Sequence, residues 1–403
     1  LTPFQDRLAF FVATDALKET RRANWMYSEP RQETVAEHVW HTTLLAMLLA
    51  DVAPTGIDHN HVRDMLIIHD LVEVYAGDTV LWDDVPDNDV VAREQAAGER
   101  LVGLLPRAQQ SRIDPLWREF QAQETQESRW ARSIDALHPM VMSWFPGAPG
   151  HANKTLTPTR ILTRKRPFLE PFPPIWELAR WLVGQAVKQR LIPGDEMMPG
   201  EDILSLLATR LDFFVAADLL KQERRANHVL SAVRTESVAE HCWHTMLLGL
   251  LCEDLAPAEV DIDRVLDLLL IHDLVEVYAG DTPVHLIDDA AAVQLSEDES
   301  AAALLETLPA DPVREHFAAL IAEFQAFDTA NARFAKALDA LHPSIMTWGP
   351  GSHVHPDYIG NPPEDGLILG WKRPYIADYP ELWSWLLDTI ETQRKSGAIL
   401  RSE

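Results

Sequence analysis

Cysteine is almost missing from this chain, with only Cys242 and Cys252 in 403 residues. The two fall ten positions apart on one helical pattern, about 15 Å along a helix axis, which is beyond disulfide reach. With no disulfide framework, the composition points to a reducing, cytoplasmic setting. Positive charge is also scarce: 35 Lys and Arg against 62 Asp and Glu leave a net charge of -27. That excludes a nucleic-acid polymer as partner, because backbone recognition works by neutralising phosphates with Lys and Arg. A phosphorylated substrate must then be small and met by local cations. No apolar run reaches the roughly 18 residues of a membrane span, and no signal-peptide pattern occurs, so no membrane partner is expected. Low-complexity segments are absent as well.

What the chain does have is repetition. Val35 to Thr79 and Val238 to Thr282 share 29 identities in 45 positions at a constant offset of 203, including the unbroken HDLVEVYAGDT. At this length, and with 47% hydrophobic residues, the chain can bury two cores. The reading is a duplicated domain: residues 1–191, a Pro- and Gly-containing join at 192–201, and residues 202–403.

Apolar residues recur at three- and four-residue spacing, as in Leu44, Leu45, Leu48 and Leu49, which predicts an all-α fold. Thr34 or Glu33 can open the helix carrying His38, and the spacing predicts a continuous helix over Val62 to Tyr75, with Gly77 where it would stop. Further helices are predicted over Val90 to Leu105, Ile113 to Glu124 and Ser128 to Met142, with counterparts at Ser296 to Leu308, Asp311 to Phe327 and Ala330 to Met346. Trp144 to Pro174 and Trp348 to Pro380 read instead as long ordered loops or lids, each ending in KRP ahead of a Trp-rich terminal helix.

Potential metal ligands recur with the repeat. His69, Asp70 and Glu73 put an imidazole and two carboxylates near one helical face, His38 comes from the preceding apolar helix, and Asp135 from a later one; His241, His272, Asp273, Glu276 and Asp339 answer them. Two nitrogens and two oxygens per half suit one divalent transition ion with positions left open for water or substrate, without selecting among Mn, Co, Fe, Ni, Zn and Mg. A lone His on an apolar helix is usually a hydrogen-bonded core residue. A whole set kept twice argues otherwise, because buried carboxylates are costly without a cation.

The segments ESVAEHCWH, LLIHDLVEVYAGDTP and FAKALDALHP resemble the hallmarks of the HD-domain metal-dependent phosphohydrolases, in particular the 5'-deoxynucleotidase branch. The resemblance covers nearly all of each half and implies tandem HD-domain helical bundles packed as a pseudo-twofold dimer, since single-domain relatives commonly self-associate. Further homo-oligomerisation stays open. It implies metal ligands His38, His69, Asp70 and Asp135, then His241, His272, Asp273 and Asp339. Glu73 and Glu276 would position or deprotonate the attacking water, and Asp78 and Asp281 would assist the leaving 5'-oxygen or hold the sugar. An Arg near the phosphate is implied too, for which Arg22 and Arg225 are favoured over Arg21 and Arg224; the alternative is a pair of arginines capping the end of the first helix. Trp25 could cover a base, whereas the second copy has His228 there. Lys165-Arg166 and Lys372-Arg373 are candidate second phosphate contacts, with solvated loop charge the preferred reading.

The chain departs from the family pattern at His41 and His138, and at His244 and His342. Their i+3 spacing from metal ligands favours hydrogen bonding behind those ligands, although extra histidines would also serve a diiron centre. Residues 71–134 contain no His, so the first site reads as mononuclear, and His285 and His316 of the second copy have no counterparts. The leading expectation is a hydrolase releasing phosphate from a small nucleotide, most plausibly a (deoxy)nucleoside 5'-monophosphate. The alternatives are a diiron HD-domain oxygenase and a non-catalytic nucleotide-sensing scaffold.

Overall fold

In the computed structural model, residues 3–78, 87–148, 155–194, 202–231, 233–282, 289–352 and 358–402 are described. His285 and most of the 192–201 join lie outside them. The first half runs α1 (Leu8–Thr14), β1 (Arg21–Trp25), β2 (Gln32–Thr34), α2 (Val35–Leu48), α3 (His59–Ile68), α4 (Glu73–Ala76), α5 (Asp87–Val102), α6 (Arg107–Ala122), α7 (Gln126–Trp144), α8 (Pro158–Leu169) and α9 (Pro173–Lys188). The second repeats the order as α10 (Asp202–Ala217), β3 (Arg224–His228), β4 (Thr235–Ser237), α11 (Val238–Leu251), α12 (Ile262–Ile271), α13 (Glu276–Ala279), α14 (Ala290–Glu306), α15 (Pro312–Ala326), α16 (Ala330–Trp348), α17 (Asp365–Ile376) and α18 (Pro380–Ser396). Among the described residues the fold is all-helical apart from two antiparallel strand pairs and an isolated bridge between Glu364 and Leu400. Among the described residues, no helix is long and apolar enough to cross a membrane.

Two helices organise everything else. On α2 every residue but Met47 is buried, and on α11 every residue is. Such all-round burial needs packing on more than one side. Each of the two packs against α3 and α7, or α12 and α16, of its own half and against its counterpart in the other. Their N-termini interlock through capping boxes: Thr34 accepts from the Glu37 amide and donates to Glu240 at 3.0 Å, while Ser237 accepts from the Glu240 amide and donates to Glu37 at 3.0 Å.

Further contacts between halves are reciprocal at the offset of the repeat. Trp40 donates its indole N–H to the Leu270 carbonyl and Trp243 to that of Ile67. Arg7 reaches the Leu251 carbonyl and Asp254, and Arg210 the Leu48 carbonyl and Asp51, so each arginine closes the C-terminal end of the other half's central helix. A contact between i and j matched by one between the counterparts of j and i is the mark of an isologous twofold interface.

Three expectations need correction. Arg21 and Arg22 lie in β1, so they cap no helix. The helix predicted over Val62 to Tyr75 is broken after Ile68. The Pro-rich passages contain α8 and α17, with Pro158 at the start of α8, where its missing N–H is no loss, and Ile161, Leu169, Ile368 and Ile376 buried to offset the interior Pro167 and Pro374.

Candidate functional site

His38 sits one turn into α2, behind the Thr34 and Glu37 capping box, and is fully buried. The break after α3 sets the next ligands. Leu71, Glu73, Val74 and Tyr75 each donate to the carbonyl three residues back, tightening the chain to a three-residue period before Gly77 ends the turn at φ 72°. That period stacks Asp70 over Glu73, which an ordinary α-helix would hold some 60° apart. Asp135 projects from α7 and completes the set.

The four groups converge. His38 Nε2 lies 3.1 Å from Asp135 Oδ1 and 3.7 Å from Asp70 Oδ2; His69 Nε2 lies 3.2 Å from Asp70 Oδ2 and 3.8 Å from Asp135 Oδ1. In the second half the corresponding distances are 3.0 Å and 4.0 Å for His241 against Asp339 and Asp273, and 3.2 Å and 3.9 Å for His272 against Asp273 and Asp339. Ligands about 2.1 Å from one ion stand roughly 3 to 3.5 Å apart, so small side-chain shifts would close either set on a cation.

The hydrogen bonding also asks for one. His69 donates through Nδ1 to the Leu66 carbonyl at 2.7 Å and His272 to that of Leu269 at 2.9 Å. Both Nε2 atoms are then buried without a hydrogen-bond partner, facing carboxylates. Against the downward push of burial, Asp70 raises the His69 pKa and Asp273 that of His272. Positive charge is favoured there, and a divalent ion would supply it by displacing the proton.

Arg22 faces the same acids from β1, 2.7 Å from Asp70 and 3.9 Å from both Glu73 and Asp78. Arg225 lies 3.1 Å from Asp273 and 4.0 Å from Asp281. Burial and then the Asp70 carboxylate push Glu73 well above the usual carboxylate range, and burial with Asp273 does the same to Glu276. One oxygen of each, Oε2, is buried without a hydrogen bond. Burial also raises Asp78 and Asp281, with Arg22 and Arg225 opposing it.

The extra histidines stand behind His38 and His241, on the Nδ1 side away from the converging carboxylates. His138 Nδ1 meets His38 Nδ1 at 3.1 Å, and His138 Nε2 meets His41 Nδ1 at 3.3 Å; His342 and His244 repeat this at 3.1 Å and 3.1 Å. Trp25 and His228 sit half-buried at the outer ends of β1 and β3, opposite Gln32 and Thr235, three positions beyond the arginines. The solvated-loop reading of Lys165 is overturned: it is buried on α8 and donates to the Ala136 carbonyl, beside Asp135, at 2.8 Å. Arg166 and Arg373 are exposed.

Sequence reasoning missed four residues next to the ligands. Glu33 Oε1 lies 3.7 Å from His38 Nδ1, and its Oε2 bonds Lys221 of the other half at 2.9 Å; Glu236 lies 3.8 Å from His241 and bonds Lys18 at 2.8 Å. All four recur at the same offset of 203, a signal that was available. The two sites also differ. Arg132 bonds Asp135 at 3.0 Å, whereas Lys336 lies over the Phe324 ring. Val39 is replaced by Cys242, whose Sγ lies 3.9 Å from His272 Nδ1.

With this geometry in place, similarity to known proteins is informative. A family model described as the HD domain matches residues 14–176 and 217–354. The 5'-deoxynucleotidase HDDC2 of Danio rerio is 25% identical over 157 residues, which is 38% of this chain and 77% of that protein. Its Homo sapiens namesake is 26% identical over 129 residues, 32% of this chain and 62% of its own length. A crystal structure described as a predicted metal-dependent phosphohydrolase, from Magnetospirillum magnetotacticum, is 30% identical and covers 49% of this chain and 96% of its own, with a TM-score of 0.42.

Proposed function

Because the chain belongs to the HD-domain family, with one match in each half, we propose that it is a divalent-metal phosphohydrolase with two active sites. The favoured substrate is a (deoxy)nucleoside 5'-monophosphate. One observation carries the reading: in each half two imidazole Nε2 atoms and two carboxylate oxygens converge, and one Nε2 is buried without a partner.

His38, His69, Asp70 and Asp135 would hold the ion in the first half, and His241, His272, Asp273 and Asp339 in the second. When bound, such an ion polarises a phosphoryl oxygen and acidifies a water. The rest falls to the side chains. Glu73 and Glu276, with raised pKa values and an unpartnered oxygen, are suited to take a proton from the attacking water. Asp78 and Asp281, raised less and more open to solvent, are suited to return one to the leaving 5'-oxygen. Arg22 and Arg225 supply the fixed positive charge that a small phosphate requires and a net charge of -27 does not. The nucleotide itself is proposed from the likeness to the 5'-deoxynucleotidases. Reciprocal packing supports a fused dimer of single-domain units. The extra histidines disfavour the diiron alternative, because they contact His38 and His241 through Nδ1, away from the atom that faces the ion.

Purified protein supplied with each metal and a panel of nucleoside monophosphates should release inorganic phosphate. Asp70→Ala and Asp273→Ala should each remove one bound metal of two. Absence of phosphate release with every metal and nucleotide would overturn the assignment.

A further inference from the structure

In each half three imidazoles, the first of them the candidate metal ligand His38 or His241, form a hydrogen-bonded chain that ends on a backbone carbonyl of the opposite half. In the first half His38 Nδ1 meets His138 Nδ1, His138 Nε2 meets His41 Nδ1, and His41 Nε2 meets the Phe214 carbonyl at 2.9 Å. In the second, His241, His342 and His244 end on the Phe11 carbonyl at 3.1 Å. The Phe214 and Phe11 rings stack on the terminal imidazoles with centroids 3.6 Å and 3.8 Å apart. All six histidines are fully buried.

The direction of this chain can be worked out from its far end. A carbonyl oxygen only accepts, so His41 must carry its proton on Nε2. Among the described residues no carboxylate lies within bonding distance of His41, the nearest being Asp218 at 3.8 Å, and an unpaired charge in the interior is costly. His41 is therefore neutral, and its bare Nδ1 can only accept. His138 must then donate from Nε2, which leaves its own Nδ1 as an acceptor. His38 in turn must donate from Nδ1, which leaves its Nε2 bare against Asp135 Oδ1 at 3.1 Å, two acceptors that need a cation between them.

We propose that the Phe214 and Phe11 carbonyls fix the tautomers of the opposite half's three histidines, so that His38 and His241 are protonated on Nδ1 and present a bare Nε2 to the ion. Each half thereby prepares a ligand of the other's site. This inference rests on the metal reading given above.

Glu33 and Thr14 agree with that polarity, while Asp135, 3.1 Å from His38 Nε2, holds a proton on that nitrogen only until an ion displaces it. Glu33 Oε1, 3.7 Å from His38 Nδ1, favours a proton there. In the second half Thr14 donates to the Phe11 carbonyl at 2.7 Å, so its oxygen is free to accept from His244 Nε2 at 3.3 Å. Glu33, His38 and His138 lie close enough to suggest a second cation site. Lys221, 2.9 Å from one Glu33 oxygen, and Arg22, 3.9 Å from the other, oppose a further positive charge there.

Two measurements on the full chain test the proposal. Histidine-ring ¹⁵N spectra of the metal-free protein, with His38 assigned by His38→Gln, should show a proton on its Nδ1. Zinc titration in an Asp273→Ala background then isolates the first site. There His138→Leu should weaken binding by about 10- to 100-fold, the usual cost of removing a partner behind a metal ligand. His138→Gln, whose amide can accept from His38 and donate to His41, should restore most of it. An unprotonated His38 Nδ1, undiminished zinc binding by the Leu variant, or an equal loss in the Gln variant would each overturn the relay. Failure of the Asp273→Ala parent to bind zinc would sink the metal reading instead, and the tautomer spectra would still decide the relay.

Discussion

Lys221→Met removes a charge from one half and should be felt in the other. The Lys221 amine is fully buried, 2.9 Å from Glu33 across the interface and 2.8 Å from Asp218 on its own half, and both carboxylates are also fully buried. Against burial, Asp218 and Glu33 raise its pKa above the ordinary lysine value. Its stabilising contribution is therefore complete below pH 10.5, the ordinary value, and is lost only as pH rises through the raised one. Stripping one partner from a buried ion pair leaves an uncompensated charge and costs about 3–5 kcal/mol. Asp218 keeps its bond from the Ser28 amide at 2.7 Å, whereas Glu33 keeps no hydrogen bond among the described residues, with His38 at 3.7 Å and Arg22 at 3.9 Å, so most of the cost falls on Glu33. Urea unfolding at pH 7 should show a loss in that range, a large part of the roughly 5–15 kcal/mol that stabilises a typical domain. Lys221→Met with Glu33→Gln should recover a substantial fraction, because the stranded charge is gone. A loss under about 1 kcal/mol, or no recovery in the double variant, would refute the reasoning that these ions are interdependent.

Two further outcomes are expected. Glu73→Gln together with Glu276→Gln should keep both metals and reduce phosphate release by about 10²- to 10⁴-fold, the usual worth of a general base; unchanged turnover would remove these residues from the proton transfers. Burial pushes Lys165 down to about 8, so the folded state bears a buried charge at neutral pH and sheds it before the unfolded chain does. The parent should therefore gain stability between about pH 8 and 10.5 relative to Lys165→Met, by up to about 3 kcal/mol. A pH-independent difference between the two proteins would contradict this.

The legible parts were those written locally. Thr34 and Glu37 form the capping box that their spacing announces, and the Gly after HDLVEVYA does stop the turn, at φ 72° in the first copy and 79° in the second. The tightened turn from His69 to Val72 was not legible, because its residues are as apolar and periodic as an ordinary helix. The β1–β2 pair was missed for the opposite reason: RRANW shows no alternation, and its pairing depends on residues 32–34. Lys165 looked like loop charge until α8 laid its stem against α7, where the Ala136 carbonyl takes up the amine.

The sequence alone determined that the chain is a helical duplication, and which imidazoles and carboxylates belong together, since a repeat preserves residue type and interval. Only the tertiary structure decided which nitrogen of each histidine faces the carboxylates, and that Lys18, Lys221 and the Phe11 and Phe214 carbonyls reach residues of the opposite half. The physical reason is range. Caps and turns are settled by atoms a few residues apart, whereas the direction of a proton along three buried rings is set by a carbonyl 173 positions away from the last of them, which becomes a neighbour only when the central helices pack.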